Sequence, residues 1–301
     1  MRYYLGIDGG GTKTVAIICD ENGDLVSRYV GKSINYNSVG TDTARANLKD
    51  TVDGVLEGKN ITLSSAFIGM PALSSRAEDS FTKDFCEGII DCPKIAMDSD
   101  VYIGLEAMKT EGASAMVVSG TGSMAVGRLE DGTVIFKGGW GYILGDEGSG
   151  YALALDAVKA AICGAEGSAE KTVLTEKVLE HFKVSDIYSL IDIFYDPPIE
   201  NSAVAKLTPV LFESAENGDK VANEIIDRHA KLLASTVCAL LSEMPCGTPL
   251  GMWGGILVNC GMFRERLVAL INEKYPQTSV KILEYPPEYG AVFAAMKEDK
   301  I

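Results

Sequence analysis

Apolar and polar positions fall into a three-strand block at the start of the chain. Residues 2–8 (RYYLGID) and 14–20 (TVAIICD) are apolar runs rich in aromatic and β-branched side chains, and residues 25–30 (LVSRYV) follow a Glu21-Asn22-Gly23-Asp24 turn. This pattern predicts a β-meander. Residues 41–57 carry apolar positions at helical spacing. Residues 64–70 (SSAFIGM) then read as a strand and 76–90 as a helix. PKIAM reads as a short strand closed by Asp98, and VYIGLEAMK as a helix. A hairpin followed by alternating helix and strand is an α/β layout.

The opening pattern returns at residue 115. AMVVSGTGSMAVGRLEDGTVIF holds a strand, a Gly/Thr break, a second strand, an Asp131-Gly132 turn and a third strand. The breaks at Gly11-Thr12 and Gly122-Ser123 occupy the same place in each block, which predicts an internally duplicated β-meander domain. KGGWGYILGDEGSGYALALDAVKAAI follows, turning helical near Ser149. Residues 167–243 are helical in spacing, with breaks at 196–198 and 217–219. An α/β part closes the chain: LGMWGGILVN, a helix over 261–274, the strand SVKILEY, and a helix after Pro286-Pro287. The expected domains are 1–112 and 113–287, with the last helix (288–301) packing back on the first.

The 301 residues are 47% hydrophobic and 23% charged, as in a globular protein, and the net charge is −15. Such an acid excess argues against nucleic-acid and anionic-membrane partners, whose phosphates are held by Lys and Arg. It leaves room for a nucleotide, held locally by backbone N–H groups and a cation. Seven cysteines without a C-x-x-C pair, and two histidines, build no zinc spacing. The N-terminus lacks an apolar leader and no run reaches the ~20 residues of a span, so the expected location is cytoplasmic.

The glycine-rich breaks narrow the chemistry. DGGGTKT lacks the G-x-x-x-x-G-K-[ST] spacing of a phosphate-binding P-loop, and a strand follows it where that loop needs a helix. Residues 120–125 (GTGSMA) match the dinucleotide fingerprint, but they too run into a strand instead of opening a helix. What remains is two strand–turn–strand loops with free N–H groups and hydroxyls, one per domain. Gly10, Gly11, Thr12 and Lys13 from one, and Gly120, Thr121, Gly122 and Ser123 from the other, are expected to clasp the phosphates of ATP. Lys13 reads equally well as a solvated side chain. Asp8, at the end of the first strand, is expected to hold Mg²⁺ directly or through water.

These residues resemble the N-acetylglucosamine kinase family, within the actin–hexokinase superfamily and its BadF/BadG/BcrA/BcrD-type ATPase group. The resemblance rests on Asp8-Gly-Gly-Gly-Thr-Lys13, Ser119-Gly-Thr-Gly-Ser123, Gly138-Gly-Trp-Gly with Gly145-Asp-Glu-Gly-Ser149, Gly254-Gly255 and Glu288-Tyr-Gly-Ala-Val292. The first two motifs are superfamily-wide; GGWG with GDEGS is the specific part. The resemblance implies a two-domain, actin-like (ribonuclease H-like) ATPase fold. It also implies ATP and Mg²⁺ as cofactors, and phosphoryl transfer to the 6-hydroxyl of an N-acetylated amino sugar. A homodimer is left open, as is the choice among N-acetylglucosamine, glucosamine and N-acetylmuramic acid.

By the same resemblance Asp98 is the base, with Asp100 as the competitor and a plain helix cap as the other reading of Asp98. Asn35, Trp140, Gly141 and Asp146 are implied to hold the sugar, and Glu147 offers a further acceptor. The plainer alternatives are that Trp140 is core and that Asp146 caps the helix near Ser149. Gly254 and Gly255 resemble the superfamily's adenosine loop, the plainer alternative being a bulge beside a strand. His181 and His229 read as ordinary residues of amphipathic helices. The rival function is an ATP-driven activator of a 2-hydroxyacyl-CoA dehydratase, which holds an iron–sulfur cluster through cysteines in Gly-rich loops; Cys86, Cys92 and Cys260 lack that context. A sugar-binding regulator on the same fold is disfavoured, because the chain has no room for a helix-turn-helix.

Overall fold

The computed structural model of the chain describes residues 1–197 and 199–300. Pro198, in the expected break at 196–198, and Ile301, at the end of the expected last helix, lie outside the described residues. The chain divides into two compact units, one formed by Met1–Glu111 with the stretch from Leu283 onward, the other by Gly112–Ile282.

In the first unit β1 (Tyr3–Asp8), β2 (Lys13–Asp20) and β3 (Leu25–Lys32) form the meander. They are followed by α1 (Tyr36–Val39), α2 (Thr41–Leu56), β4 (Leu63–Gly69), α3 (Asp79–Cys86), β5 (Ile95–Asp98) and α4 (Asp100–Ala107). The sheet runs β3-β2-β1-β4-β5, antiparallel through the meander and parallel from β1 to β5. The expected helix at 76–90 is shorter, because the chain leaves it at Glu87 and turns through Gly88 at positive φ.

In the second unit β6 (Ser114–Ser119), β7 (Ser123–Arg128) and β8 (Val134–Gly138) form the second meander. Then come α5 (Gly150–Glu166), α6 (Leu174–Phe182), α7 (Leu190–Tyr195), α8 (Asn201–Ala205), α9 (Thr208–Glu216) and α10 (Lys220–Leu241). β9 (Leu250–Trp253), α11 (Gly255–Asn259), α12 (Gly261–Lys274) and β10 (Val280–Ile282) complete it. Its sheet, β10-β9-β6-β7-β8, repeats the first: a meander whose first strand pairs in parallel with the next strand along the chain. LGMWGGILVN is therefore half strand and half helix, divided at Gly254, and SVKILEY contributes only a three-residue strand.

The last helix, α13 (Pro287–Glu298), belongs to the first unit. Both faces of that sheet are covered, which is why β1 and β2 are apolar almost throughout rather than alternating. Leu5, Ile7, Ala16 and Ile18 pack with Leu48 and Val52 of α2, while Tyr4, Val15 and Ile17 pack with Val292 and Ala295 of α13. A Cβ at Gly6 would overlap the backbone of α13 at Glu288 and Val292, and one at Gly290 would overlap α4 at Ile103. Glycine at both positions lets α13 lie directly on β1 and α4. Among the described residues no helix is long and apolar enough to cross a membrane.

Candidate active site

In the first unit the strand ends converge on a group of carboxylates. Asp8 ends β1, and its carboxyl is pushed up to about 7, first by loss of solvation, then by the negative charges of Glu288 and Asp100, with Lys13 opposing. Glu288, in the first turn of α13, is buried and lies 3.7 Å from Arg28. Among the described residues no three His, Cys, Asp or Glu side chains are grouped closely enough to hold a metal ion alone. Excess negative charge around one carboxylate, short of a full ligand set, suits a cation that also takes oxygens from a bound phosphate.

Gly9 donates its N–H to the Gly69 carbonyl at 2.7 Å, tying the start of the first loop to the end of β4. Beyond that point the loop is open. Gly11, Thr12 and Lys13 are exposed, and a Cβ at Gly11 would touch nothing within 4 Å. Ser33 joins this loop to Asn35, since its hydroxyl donates to the Gly10 carbonyl at 3.0 Å and accepts from the Asn35 N–H at 3.2 Å. Asn35 itself caps α1, accepting from Asn37.

Asp98 ends β5, is 8% exposed and accepts a 2.6 Å hydrogen bond from the Ser99 N–H. Burial raises its carboxyl above the ordinary range, while the hydrogen bonds from Ser99 and the charge of Arg76 oppose the shift. It is not the helix cap. That role belongs to Ser99, whose hydroxyl accepts from the Tyr102 N–H at the start of α4. Asp98 is thus a carboxylate without a capping duty at the C-terminal end of a parallel strand, where α/β sheets place ligands. Asp100 lies in the first turn of α4, its carboxyl also raised by burial.

In the second unit the loop at 119–123 is fastened on several sides. The Ser119 hydroxyl donates to the Gly148 carbonyl at 2.7 Å and the Ser123 hydroxyl to the Glu147 carbonyl at 2.8 Å. Gly150 N–H donates to the Gly120 carbonyl at 2.7 Å. The GTGS and GDEGS segments are therefore one hydrogen-bonded body. Gly254 has φ +100°, and a Cβ there would overlap the Ser119 backbone, so only glycine lets β9 turn into α11 at this point.

Asp146 binds the parts together. Its Oδ1 accepts from the Gly141 N–H at 3.2 Å, and a Cβ on Gly122 would sit 2.6 Å from its Oδ2. Its backbone is left-handed at φ +63°, a strained state for a residue other than glycine. Burial raises its carboxyl, the Gly141 and Ser123 backbone bonds lower it, and neighbouring Glu147 raises it. Ser149, accepting from the Ala152 N–H, caps α5, so Asp146 does not. Trp140 is 73% exposed and is not core; Glu147 is exposed as well.

Ser33, Glu288 and His229 contribute beyond the expected site residues. Ser33 stands close to Asn35 in the chain but meets Gly10 only across the fold, and Glu288, part of the Glu288-Tyr-Gly-Ala-Val292 motif, meets Arg28 and the charge of Asp8 only through the tertiary arrangement. His229, expected as an ordinary helical residue, is 3% exposed, and its Nδ1 accepts a 3.1 Å hydrogen bond from the Gly148 N–H. Only the tertiary arrangement brings it to the GDEGS loop.

The family profile described as the BadF/BadG/BcrA/BcrD ATPase family matches residues 5–297. An N-acetylmuramic acid/N-acetylglucosamine kinase of Clostridium acetobutylicum is 30% identical, over 99% of both chains. An N-acetyl-D-glucosamine kinase of Dictyostelium discoideum is 28% identical, over 99% of this chain and 98% of its own. Among solved structures, a candidate N-acetylglucosamine kinase from Porphyromonas gingivalis superposes with a TM-score of 0.77 at 18% identity, over 97% of each chain. A ROK family glucokinase from Streptomyces griseus, solved with glucose and AMPPNP, superposes at 0.60 with 17% identity, over 99% of this chain and all of its own. With its two meander-led sheets the fold is that of the two-domain actin-like kinases, and the chain belongs to the BadF/BadG/BcrA/BcrD ATPase family.

Proposed function

We propose that this protein is an ATP-dependent amino-sugar kinase that transfers a phosphoryl group to the 6-hydroxyl of an N-acetylated hexosamine. Asp146 carries the reading. It bridges the loop assigned to the sugar and the loop assigned to the phosphates, so recognition of an alcohol and positioning of a phosphoryl group share one rigid body in the second unit. Trp140 offers an exposed ring to the sugar's apolar face, and the Asp146 and Glu147 carboxylates offer acceptors for its hydroxyls. Asn35, held through Ser33 to Gly10, serves the N-acetyl group.

Phosphoryl transfer asks the protein mainly for positioning and charge. Asp98 accepts the proton of the attacking hydroxyl. Burial raises its pKa, which makes it a better base than an ordinary surface carboxylate. Backbone N–H groups of residues 10–13 and 120–123 bind the phosphate oxygens, and Gly254 and Gly255 serve the adenosine. Asp8, with Asp100 beside it, would hold Mg²⁺, which when bound neutralises phosphate charge.

The rival activator reading needs cysteines placed for a cluster. Cys86 is instead a core residue whose thiol burial pushes up to about 12, and Cys260 is pushed up to about 11. An ATP-coupled assay across N-acetylglucosamine, glucosamine and N-acetylmuramic acid tests the proposal. Sugar-dependent ADP release with an acid-stable sugar 6-phosphate as product supports it, and ATP hydrolysis indifferent to all three sugars overturns it.

A further inference from the structure

Gly148 lies between the two segments of the second unit's site, and both sides of its backbone are held. Its carbonyl accepts from the Ser119 hydroxyl and its N–H donates to His229 Nδ1. Its φ is +80°, and a Cβ there would press to 2.9 Å from Leu233 Cβ, one turn beyond His229 on α10. The loop therefore rests directly on the His229–Leu233 face of that helix.

A ring nitrogen that accepts from a backbone N–H carries no proton, so the proton of neutral His229 sits on Nε2. That nitrogen lies 2.9 Å from Asp156 Oδ2 on α5, which also takes an Arg228 bond at 2.7 Å, while Lys159 lies 3.4 Å from Asp156 Oδ1. Burial alone would raise the Asp156 carboxyl, but the hydrogen bonds from His229 and Arg228 outweigh it and hold the group well below the usual carboxylate range. Asp156 thus stays ionised and keeps the ring in the Nε2–H form. No step of the proposed chemistry uses either residue.

We infer that His229 is a positioning residue, held by Asp156 in the Nε2–H tautomer, which fixes Gly148 and through it the orientation of Asp146 and Glu147 toward the sugar. The inference rests on the amino-sugar kinase reading for its substrate, but the hydrogen-bond chain from Asp156 to Ser119 stands apart from it. A protonated ring would set Nδ1–H against the Gly148 N–H and release the loop. Replacement by an apolar side chain would leave a buried N–H without a partner.

The chain has only two histidines, His181 and His229, so both rings can be followed by long-range ¹H–¹⁵N correlation, with His181→Gln to assign them. The Nε2–H tautomer is expected for the neutral His229 ring. In His229→Leu the amide exchange of Gly148 should quicken about tenfold, and the KM for the amino sugar should rise by about the same factor, more than the KM for ATP. His229→Asn, whose amide oxygen can replace Nδ1 as acceptor, should recover most of both. An Nδ1–H tautomer overturns the inference, as does a folded His229→Leu protein with unchanged Gly148 exchange and sugar KM. If His229→Leu does not fold, the wild-type tautomer and the His229→Asn kinetics decide. If the wild-type protein phosphorylates no amino sugar, the functional reading fails, while the tautomer and the Gly148 exchange still decide the positioning role.

Discussion

The two glycine-rich loops are built alike and held differently. Each joins the first two strands of a meander. The loop after β1 is fixed at its root by Gly9 and Ser33 and then stands open at Gly11, Thr12 and Lys13. The loop after β6 is bonded to Gly148, Glu147 and Gly150 and lies against Gly254. In the first unit, sensitivity to substitution should lie in chemistry, in the carboxylates at the strand ends. In the second it should lie in architecture, because the loop is part of a packed body.

The strongest test of that contrast is Asp98→Asn, which should lower kcat by about 10²–10⁴ while leaving the melting temperature nearly unchanged. An equal fall in stability would show that Asp98 is structural after all. Next in size is Gly254→Ala in the second unit, which combines backbone strain with overlap at Ser119. It should cost about 1–3 kcal/mol by urea unfolding, with activity falling alongside. A stable Gly254→Ala protein would mean that the second loop is no more tightly held than the first.

The charge around Asp8 gives a pH-dependent test. Its folded-state pKa of about 7 lies above the ordinary carboxylate value, so protonation favours the metal-free fold. That contribution is complete at pH below about 4 and is lost as pH rises through 7. Asp8→Asn should therefore melt higher than the wild-type metal-free protein at pH 8, and no higher at pH 4. In the wild type a proton competes with the cation, so Mg²⁺ affinity should weaken by up to about tenfold for each pH unit below 7. Affinity that does not change between pH 6 and 8 would remove Asp8 from the metal site. The smallest effect is expected at Gly11→Ala, whose new methyl meets open space, with stability within about 0.5 kcal/mol of wild type.

Much of this was legible in the residues because local chemistry decides it. β-branched and aromatic runs, the Asn22-Gly23 and Asp131-Gly132 turns and the repeated Gly-Thr breaks mark both meanders, and the two sheets share one strand order. Where tertiary packing decides, the residues said less. Gly254 ends β9 because of its contact with Ser119, so LGMWGGILVN held no local sign that a helix begins within it. Ser99 rather than Asp98 caps α4, a choice set by backbone geometry. His229 and Asp156 sit on two separate helices, and no spacing rule joins them. The plain readings of Trp140 as core and Asp146 as helix cap were open until exposure and hydrogen bonds separated them.

The central claim is that this fold transfers a phosphoryl group from ATP to an amino-sugar 6-hydroxyl with Asp98 as base. Phosphorus NMR of the product, read for wild type and Asp98→Asn at equal protein concentration with Mg²⁺, tests it most directly. The expected result is N-acetylglucosamine 6-phosphate accumulating with ADP in the wild type, and a rate about a hundredfold or more lower in the variant. ADP accumulating without any phosphorylated sugar, or an Asp98→Asn protein as fast as wild type, would contradict the account.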